Sequence, residues 1–124
     1  MQHNDLGKLG EDLATTYLQQ KNYVILARNW RSGKAEIDII AQIEKNIIFI
    51  EVKTRKTLYF GFPEQAVNKH KQQLIANAAI NYLNQINSEN NKFKPQFDVI
   101  ALVIQQKKII QLHHIEHAFI WYDT

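Results

Sequence analysis

The stretch Asn46–Arg55, NIIFIEVKTR, constrains the fold of this chain more than any other. Its four consecutive apolar residues, 47–50, are typical of a strand that is buried on both faces. The stretch then ends in a Glu51-x-Lys53 pair. Because residues two apart on a strand point the same way, Glu51 and Lys53 are expected to project together. A buried lone carboxylate or ammonium is costly or changes its pKa strongly, so the pair needs a chemical reason.

The apolar patterns along the chain predict the element order α-β-β-β-α-β-β. Leucines at helical spacing indicate a first helix over DLGKLGEDLATTYLQQKN, with Asp5 as its N-cap. A second helix is predicted from Pro63 to Asn87, with an apolar stripe of Val67, Leu74, Ala78 and Tyr82. The predicted strands are YVILARNW, AEIDIIAQI, NIIFIEVKT, QFDVIALVIQ and KKIIQLHHI. The last residues, EHAFIWYDT, are expected to form a short helical or capping segment.

Composition and length are those of one globular domain, residues 1–124, with an α/β architecture. The absence of cysteine excludes disulfides and thiolate metal sites. Fifteen Lys and Arg against twelve Asp and Glu give a net charge of +3, which permits a polyanionic partner without demonstrating one. No apolar run approaches the roughly 20 residues of a membrane span, and the N-terminus lacks a secretory apolar region. A cytoplasmic protein without membrane contact is therefore expected.

Carboxylates on neighbouring strands indicate a metal site. If the polar QIEKN closes a hairpin, Asp38 lies on the strand beside Glu51. Carboxylate oxygens are the ligands that Mg²⁺ or Mn²⁺ prefers, and Lys53 would position a nucleophilic water or stabilise charge on a phosphate. Glu36 shares the face of Asp38 and is an alternative ligand, but Asp38 lies deeper in the strand. Glu11, at the edge of the first helix's apolar stripe, is a further ligand. The alternative is a surface ion pair of about 0–1 kcal/mol.

Basic residues flank the predicted site and suggest contacts with nucleic acid. Cations bind phosphates, and the interleaved Trp30 and Tyr59 can stack on unpaired bases. A charged loop or a solvated helix turn explains the same residues, so the pattern alone is weak. At the start of the second helix, Gln65 also faces the site or DNA in this interpretation. The candidate nucleic-acid-binding residues are Arg28, Arg31, Lys34, Arg55, Lys56 and Lys69.

The histidines near the C-terminus are predicted not to bind metal. In a helix His113 and His117 would share a face, but QLHHI reads as a strand. No acidic cluster stands beside them or His114 in the sequence. Structural roles are therefore favoured for all three.

Five motifs in order resemble the YraN-type family of predicted endonucleases, which are similar to archaeal Holliday junction resolvases. The motifs are GEDLA, EIDIIA, FIEVKTR, FGFPEQAVNKHKQQL and FDVIAL, and they cover nearly the whole chain. The resemblance implies a restriction-endonuclease-like fold, in which helices flank a mixed sheet. It also implies Mg²⁺-dependent hydrolysis of DNA phosphodiesters, including branched or junction DNA, and a homodimer. Its site residues correspond to Glu11, Asp38, Glu51 and Lys53.

Two other functions stay open, because a fold does not determine an activity. The first is a nucleic-acid-binding module without catalysis, which would bind DNA in a salt-dependent manner. The second is a protein-interaction subunit, for which the aromatic stretches LYFGF and FIWYD offer apolar surface. DNA and RNA are both compatible with the sequence.

Overall fold

The computed structural model describes residues 3–57, 67–86 and 95–119. The predicted element order is confirmed within these ranges. The elements are α1 (His3–Gln20), β1 (Val24–Ser32), β2 (Ala35–Ile43), β3 (Asn46–Arg55), α2 (Lys69–Ile86), β4 (Gln96–Gln105) and β5 (Lys108–Phe119).

The five strands form one mixed sheet in the order β1-β2-β3-β4-β5. β1, β2 and β3 pair antiparallel in sequence, β3 pairs parallel with β4, and β4 pairs antiparallel with β5. Parallel neighbours need a long crossover, and the chain between β3 and β4 contains α2. The predicted α/β class is therefore confirmed, and a mixed sheet flanked by two helices is consistent with a restriction-endonuclease-like fold.

The sheet has an apolar core on each face. Because side chains alternate along β3, Ile48 and Ile50 pack with α1, whereas Ile47 and Phe49 pack with α2. β4 alternates in the same way, with Ile100 facing α1. This explains why the central strands are almost continuously apolar: both of their faces are covered by a helix.

α1 lies unusually close to β3 at Gly10. A Cβ atom at this position would lie 2.9 Å from Cβ of Thr54, closer than real Cβ contacts allow. Gly10 therefore permits a packing distance that any other residue would increase. Glu11 is the next residue, so the same close approach brings its carboxylate to the sheet.

Three predicted boundaries were wrong. α1 begins at His3, so Asp5 lies in its first turn and is not the N-cap. α2 begins at Lys69 with Asn68 as N-cap, because Asn68 Oδ1 accepts the backbone N–H of Lys71 at 2.9 Å. The predicted start, Pro63, lies outside the described residues. β5 continues to Phe119, where a helical or capping segment was expected.

The aromatic stretches proposed as interaction surfaces are mostly outside the described residues. All of LYFGF, including Tyr59, lies there, as do the last four residues of FIWYD. Phe119 is described, and its ring stacks on Phe97 with centroids 4.7 Å apart. Phe119 thus contributes to the α2-side core. Across the described ranges, neither helix has the length and apolar character needed to cross a membrane.

We expect Gly10→Ala to destabilise the protein by about 1–3 kcal/mol, because the added methyl must push α1 away from Thr54. Gly7→Ala is the matched control in the same helix, since a Cβ there meets nothing within 4 Å. It should be neutral or stabilising by up to about 1 kcal/mol. Urea denaturation of both variants measures this, and equal effects would show that the close approach is unimportant.

Candidate metal-binding site

The side chain of Asp38 replaces the backbone pairing between β2 and β3 at the point where that pairing ends. The paired register runs from Ile43 with Asn46 to Ile39 with Ile50. Beyond that point Asp38 Oδ2 accepts the backbone N–H of Val52 at 2.8 Å. The two strands separate here, and a carboxylate stands between them beside Glu51. The predicted hairpin and the proximity of these two acids are therefore present in the structure.

The alternation of faces along β2 is interrupted at Asp38. Ile37 packs on the α2 side, yet Ile39, two residues on, packs on the α1 side. Residues two apart on a regular strand would share a face. On the neighbouring strand β1, Asn29 has a left-handed backbone with φ of 52°, between the Arg28 and Trp30 pairs. The local irregularity places Asp38 where it interacts with charges on both sides of the sheet.

Glu51 is a buried carboxylate held by two lysines. It is 7% exposed, and its Oε1 lies 2.7 Å from Lys71 Nζ and 3.7 Å from Lys53 Nζ. The predicted projection of Glu51 and Lys53 together agrees with this arrangement. The sequence pattern did not predict a role for Lys71, and the lysine that it did predict at the start of this helix, Lys69, is exposed.

A signal for Lys71 was present in the sequence. The predicted apolar stripe runs from Val67, just before α2, through Leu74, Ala78 and Tyr82 within it, and its helical spacing leaves room for one more residue between the first two. Position 71 fills that gap with a lysine. A cation within an apolar stripe needs a buried partner, and Glu51 is that partner.

These groups surround a cavity of about 250 Å³ between the sheet and the start of α2. Polar and charged side chains alternate with apolar ones around it. Glu11 and Lys53 do not line it, although Lys53 contacts Glu51 from the side. The principal lining residues are Lys34, Glu36, Asp38, Glu51, Lys71 and Ile75.

Glu11 carries a buried oxygen that lacks a donor. No hydrogen-bond donor in the described part of the chain reaches its Oε1, and the nearest cation, Arg28 Nη2, lies 3.8 Å away. Arg28 is instead hydrogen-bonded to Asp12 at 2.8 Å. A buried carboxylate oxygen without a partner is costly, so a missing cation or donor is expected at this position.

Burial and mutual repulsion perturb the pKa of several of these groups. Burial, and then the negative charge of Glu51, raises the pKa of Asp38 to about 7, with Glu11 adding to the effect. Burial also raises the pKa of Glu11, against the opposing influence of Arg28 and Asn29. The charged forms of Asp38 and Glu11 are therefore only partly stabilised by their surroundings, as is common for acids at functional sites.

The pKa values of Lys53 and Lys71 shift in opposite directions. Burial lowers the pKa of Lys53, and the neighbouring ammonium of Lys71 lowers it further. Burial also opposes the charge of Lys71, but the hydrogen bond and charge of Glu51 outweigh it and raise its pKa. Lys53 thus loses its proton more readily than an ordinary lysine, whereas Lys71 stays a cation.

The predicted basic residues do not form one surface. Lys34 lies at the cavity, and Arg31 lies beside it, with its Nη2 3.3 Å from Glu36 Oε2. This ion pair engages Glu36, the alternative ligand. Arg55 is exposed at the end of β3. Lys56 lines a separate depression near the β4–β5 turn, and Gln65 lies outside the described residues.

We expect Asp38→Asn to stabilise the chelator-treated protein at pH 8 by on the order of 2 kcal/mol. The pKa of Asp38 is raised to about 7 in the folded state, so its stability contribution falls as pH rises from about 4 to 7. Asparagine is neutral and still accepts the Val52 N–H. Urea denaturation at pH 4 and pH 8 should show a difference only at the higher pH. The exposed Glu44→Gln is the control, and an Asp38→Asn variant no more stable than wild type at pH 8 would contradict the expectation.

Comparison with known proteins identifies relatives along almost the whole chain. The model of Uncharacterised protein family UPF0102 matches residues 10–102, a range that includes the acids and lysines above. A UPF0102 protein from Flavobacterium psychrophilum is 45% identical over 118 residues, covering 95% of this chain and 96% of that protein. One from Flavobacterium johnsoniae is 40% identical, covering 95% and 96%, and one from Caldanaerobacter subterraneus is 39% identical, covering 92% and 93%. The chain therefore belongs to Uncharacterised protein family UPF0102.

Proposed function

We propose that this protein is a metal-dependent endonuclease that hydrolyses phosphodiester bonds in DNA. The observation that carries the proposal is the meeting of Asp38 and Glu51 with Lys53 and Lys71 beside one cavity. Hydrolysis of a phosphodiester needs anionic ligands for a metal, a base and a cation that stabilises charge on the phosphate. All three kinds of group are present within this cluster.

The residues fit a hard divalent cation such as Mg²⁺ or Mn²⁺. Asp38, Glu51 and Glu11 offer only oxygen ligands, which these ions prefer. The buried Glu11 Oε1 lacks a donor among the described residues, and burial, followed by the charge of Glu51, raises the pKa of Asp38, so a cation would stabilise the ionised form of both acids. When bound, the metal would supply Lewis-acid stabilisation of the charge that develops on the phosphate oxygens.

The two lysines have different roles in this proposal. Lys53, whose pKa is lowered by burial and by Lys71, is more often the neutral amine than an ordinary lysine is, so it is available to accept a proton from the attacking water. Lys71 remains protonated and would bind a non-bridging phosphate oxygen. For this it must exchange its contact with Glu51 for one with the substrate.

A nucleic acid is the proposed substrate because cations line or adjoin the cavity, and the resemblance to predicted endonucleases that act on DNA favours DNA. Lys34 lines the cavity and Arg31 is 78% exposed in its side chain beside it, so both can contact phosphates. The resemblance to predicted junction-resolving endonucleases extends the proposal to branched DNA and to a homodimer, in which two sites would act on two strands.

One observation favours a nucleic-acid-binding module without catalysis as the second candidate. Glu51 Oε1 is already paired with Lys71 at 2.7 Å, so this carboxylate is neutralised without a metal. If that ion pair persists in the presence of Mg²⁺, the cavity binds phosphate through its lysines but cannot cleave. The module would then bind DNA in a salt-dependent manner.

A cleavage assay on labelled junction, flap, single-stranded and duplex DNA tests the two candidates. Reactions contain Mg²⁺, Mn²⁺ or EDTA. We expect metal-dependent cutting that Lys53→Ala reduces by about 100-fold or more, because the variant loses the base that accepts the proton of the attacking water. Lys45→Ala, in the exposed β2–β3 turn, is the matched control. Binding without cutting on every substrate would favour the module, and neither binding nor cutting would favour a protein-interaction subunit.

Lys71→Ala and Lys69→Ala separate the buried lysine from the exposed one. Removing Lys71 frees Glu51, so we expect Mg²⁺ to bind more tightly, by about tenfold, while cleavage at saturating metal falls. Lys69→Ala should leave both unchanged at saturating DNA and weaken DNA binding only slightly. Isothermal titration with Mg²⁺ measures the first effect. Unchanged metal affinity in Lys71→Ala would show that the lysine and the metal do not compete.

A further inference from the structure

A second cluster of potential metal ligands lies on the α1 side of the sheet, where β4 pairs with β5. Asp98, His114 and Glu116 each place one donor atom within 4.8 Å of the others. Asp98 is buried, with 1% of the residue exposed, whereas Glu116 reaches solvent. The rings of Tyr17 and Tyr23 pack against His114. Two carboxylates and one imidazole thus converge in a site that is open on one side.

Two hydrogen bonds to Oδ1 fix the orientation of the Asp98 carboxylate. Its Oδ1 accepts Gln96 Nε2 at 3.0 Å and the backbone N–H of His117 at 3.1 Å. The second bond depends on an irregularity in β5, where His117 has a left-handed backbone with φ of 51° and the register with β4 shifts. Such bulges re-aim backbone and side-chain groups. Oδ2, the other oxygen, faces His114 Nε2 at 2.8 Å.

His114 is oriented in the same way. Its Nδ1 is hydrogen-bonded to the hydroxyl of Tyr17 at 2.9 Å, so Nε2 points inward. The ring of Tyr23 also packs against the imidazole, with centroids 6.3 Å apart. Metal-binding histidines and carboxylates are typically anchored through their outer atoms in this manner. Here Asp98 and His114 each have such an anchor.

We propose that Asp98, His114 and Glu116 bind a divalent transition metal, with Zn²⁺ as the best match. One imidazole and two carboxylates form a mixed nitrogen and oxygen set, which suits Zn²⁺ better than Mg²⁺. The exposed side, next to Glu116, leaves access for the ion and for solvent. This site is independent of the proposed nuclease centre, whose cavity lies on the α2 side of the sheet.

Binding requires only a small rearrangement. Two donor atoms on one tetrahedral zinc lie about 3.3 Å apart, so His114 Nε2 and Asp98 Oδ2 must separate by roughly half an ångström from their hydrogen-bonded distance. Zinc needs the unprotonated Nε2. The imidazole proton then resides on Nδ1 and is donated to the Tyr17 oxygen, so a neutral His114 changes tautomer without releasing a proton.

The expected consequence is structural. Asp98 belongs to β4, His114 and Glu116 belong to β5, and Tyr17 ties the imidazole to α1. A metal here would link the edge strand to the rest of the sheet. Because it binds the folded state, we expect it to raise Tm by about 5–10 °C at 100-fold excess over its Kd.

Titration of EDTA-treated full-length chain with ZnCl₂, by calorimetry and thermal unfolding, tests the proposal. Glu51→Gln serves as the background, so that the proposed nuclease centre does not contribute zinc binding. We expect one equivalent to bind there, with affinity reduced roughly 10- to 100-fold by Tyr17→Phe and more by His114→Ala or Glu116→Gln. His113→Ala, an exposed neighbour, is the matched control and should bind as the background does.

If His114→Ala does not fold, Glu116→Gln still tests the site. Residue 116 is exposed, so this variant leaves the hydrogen bonds of the buried Asp98 intact. Co²⁺ provides a second readout, since its visible absorption reports nitrogen and oxygen ligation directly. The proposal is overturned if the Glu51→Gln background binds no zinc, or if Glu116→Gln and His113→Ala bind it equally well. If the wild-type chain cleaves no DNA substrate while zinc binding at Asp98, His114 and Glu116 is retained, the proposed nuclease centre alone is overturned.

Discussion

Burial of both faces of the parallel β3–β4 pair is the constraint on which the rest of the structure depends. Ile48 and Ile50 of β3 must be covered by α1, and Ile47 and Phe49 by α2. A helix is therefore needed on each side, and the parallel pairing requires the long crossover that contains α2. Polar chemistry is confined to the places where this two-sided core ends, and Glu51 and Lys53 stand at one of them.

A local irregularity in β1 and β2 determines where Asp38 of the candidate site lies. The β2–β3 backbone pairing ends at Asp38, where the carboxylate accepts the backbone N–H of Val52. At the same residue the buried side chains of β2 switch from the α2 side of the sheet to the α1 side. The backbone N–H of Val52 donates to a side chain instead of to a backbone carbonyl, and because it is still hydrogen-bonded the exchange costs little stability. The same device recurs in β5, where His117 donates its backbone N–H to Asp98.

The charge balance of the site explains why two lysines accompany its acids. Glu51 is buried and would be unstable alone, and Lys71 reaches it from α2 at 2.7 Å. Asp38 and Glu11 are less well compensated, as the raised pKa of each shows. The ion pair of Glu51 with Lys71 thus stands beside carboxylates whose negative charge is less well compensated. Such a balance costs stability, as functional sites often do.

The sequence by itself determined the order of the elements, the burial of β3 and the joint projection of Glu51 and Lys53, because strand and helix periodicities are local properties. It also indicated the hairpin that brings Asp38 beside Glu51. Only the tertiary structure decided that Lys71 pairs with Glu51, that Glu36 is engaged by Arg31, and that Asp98 meets His114 and Glu116. These contacts join elements that are distant in the chain, and their geometry depends on strand register, helix placement and bulges that no local pattern specifies.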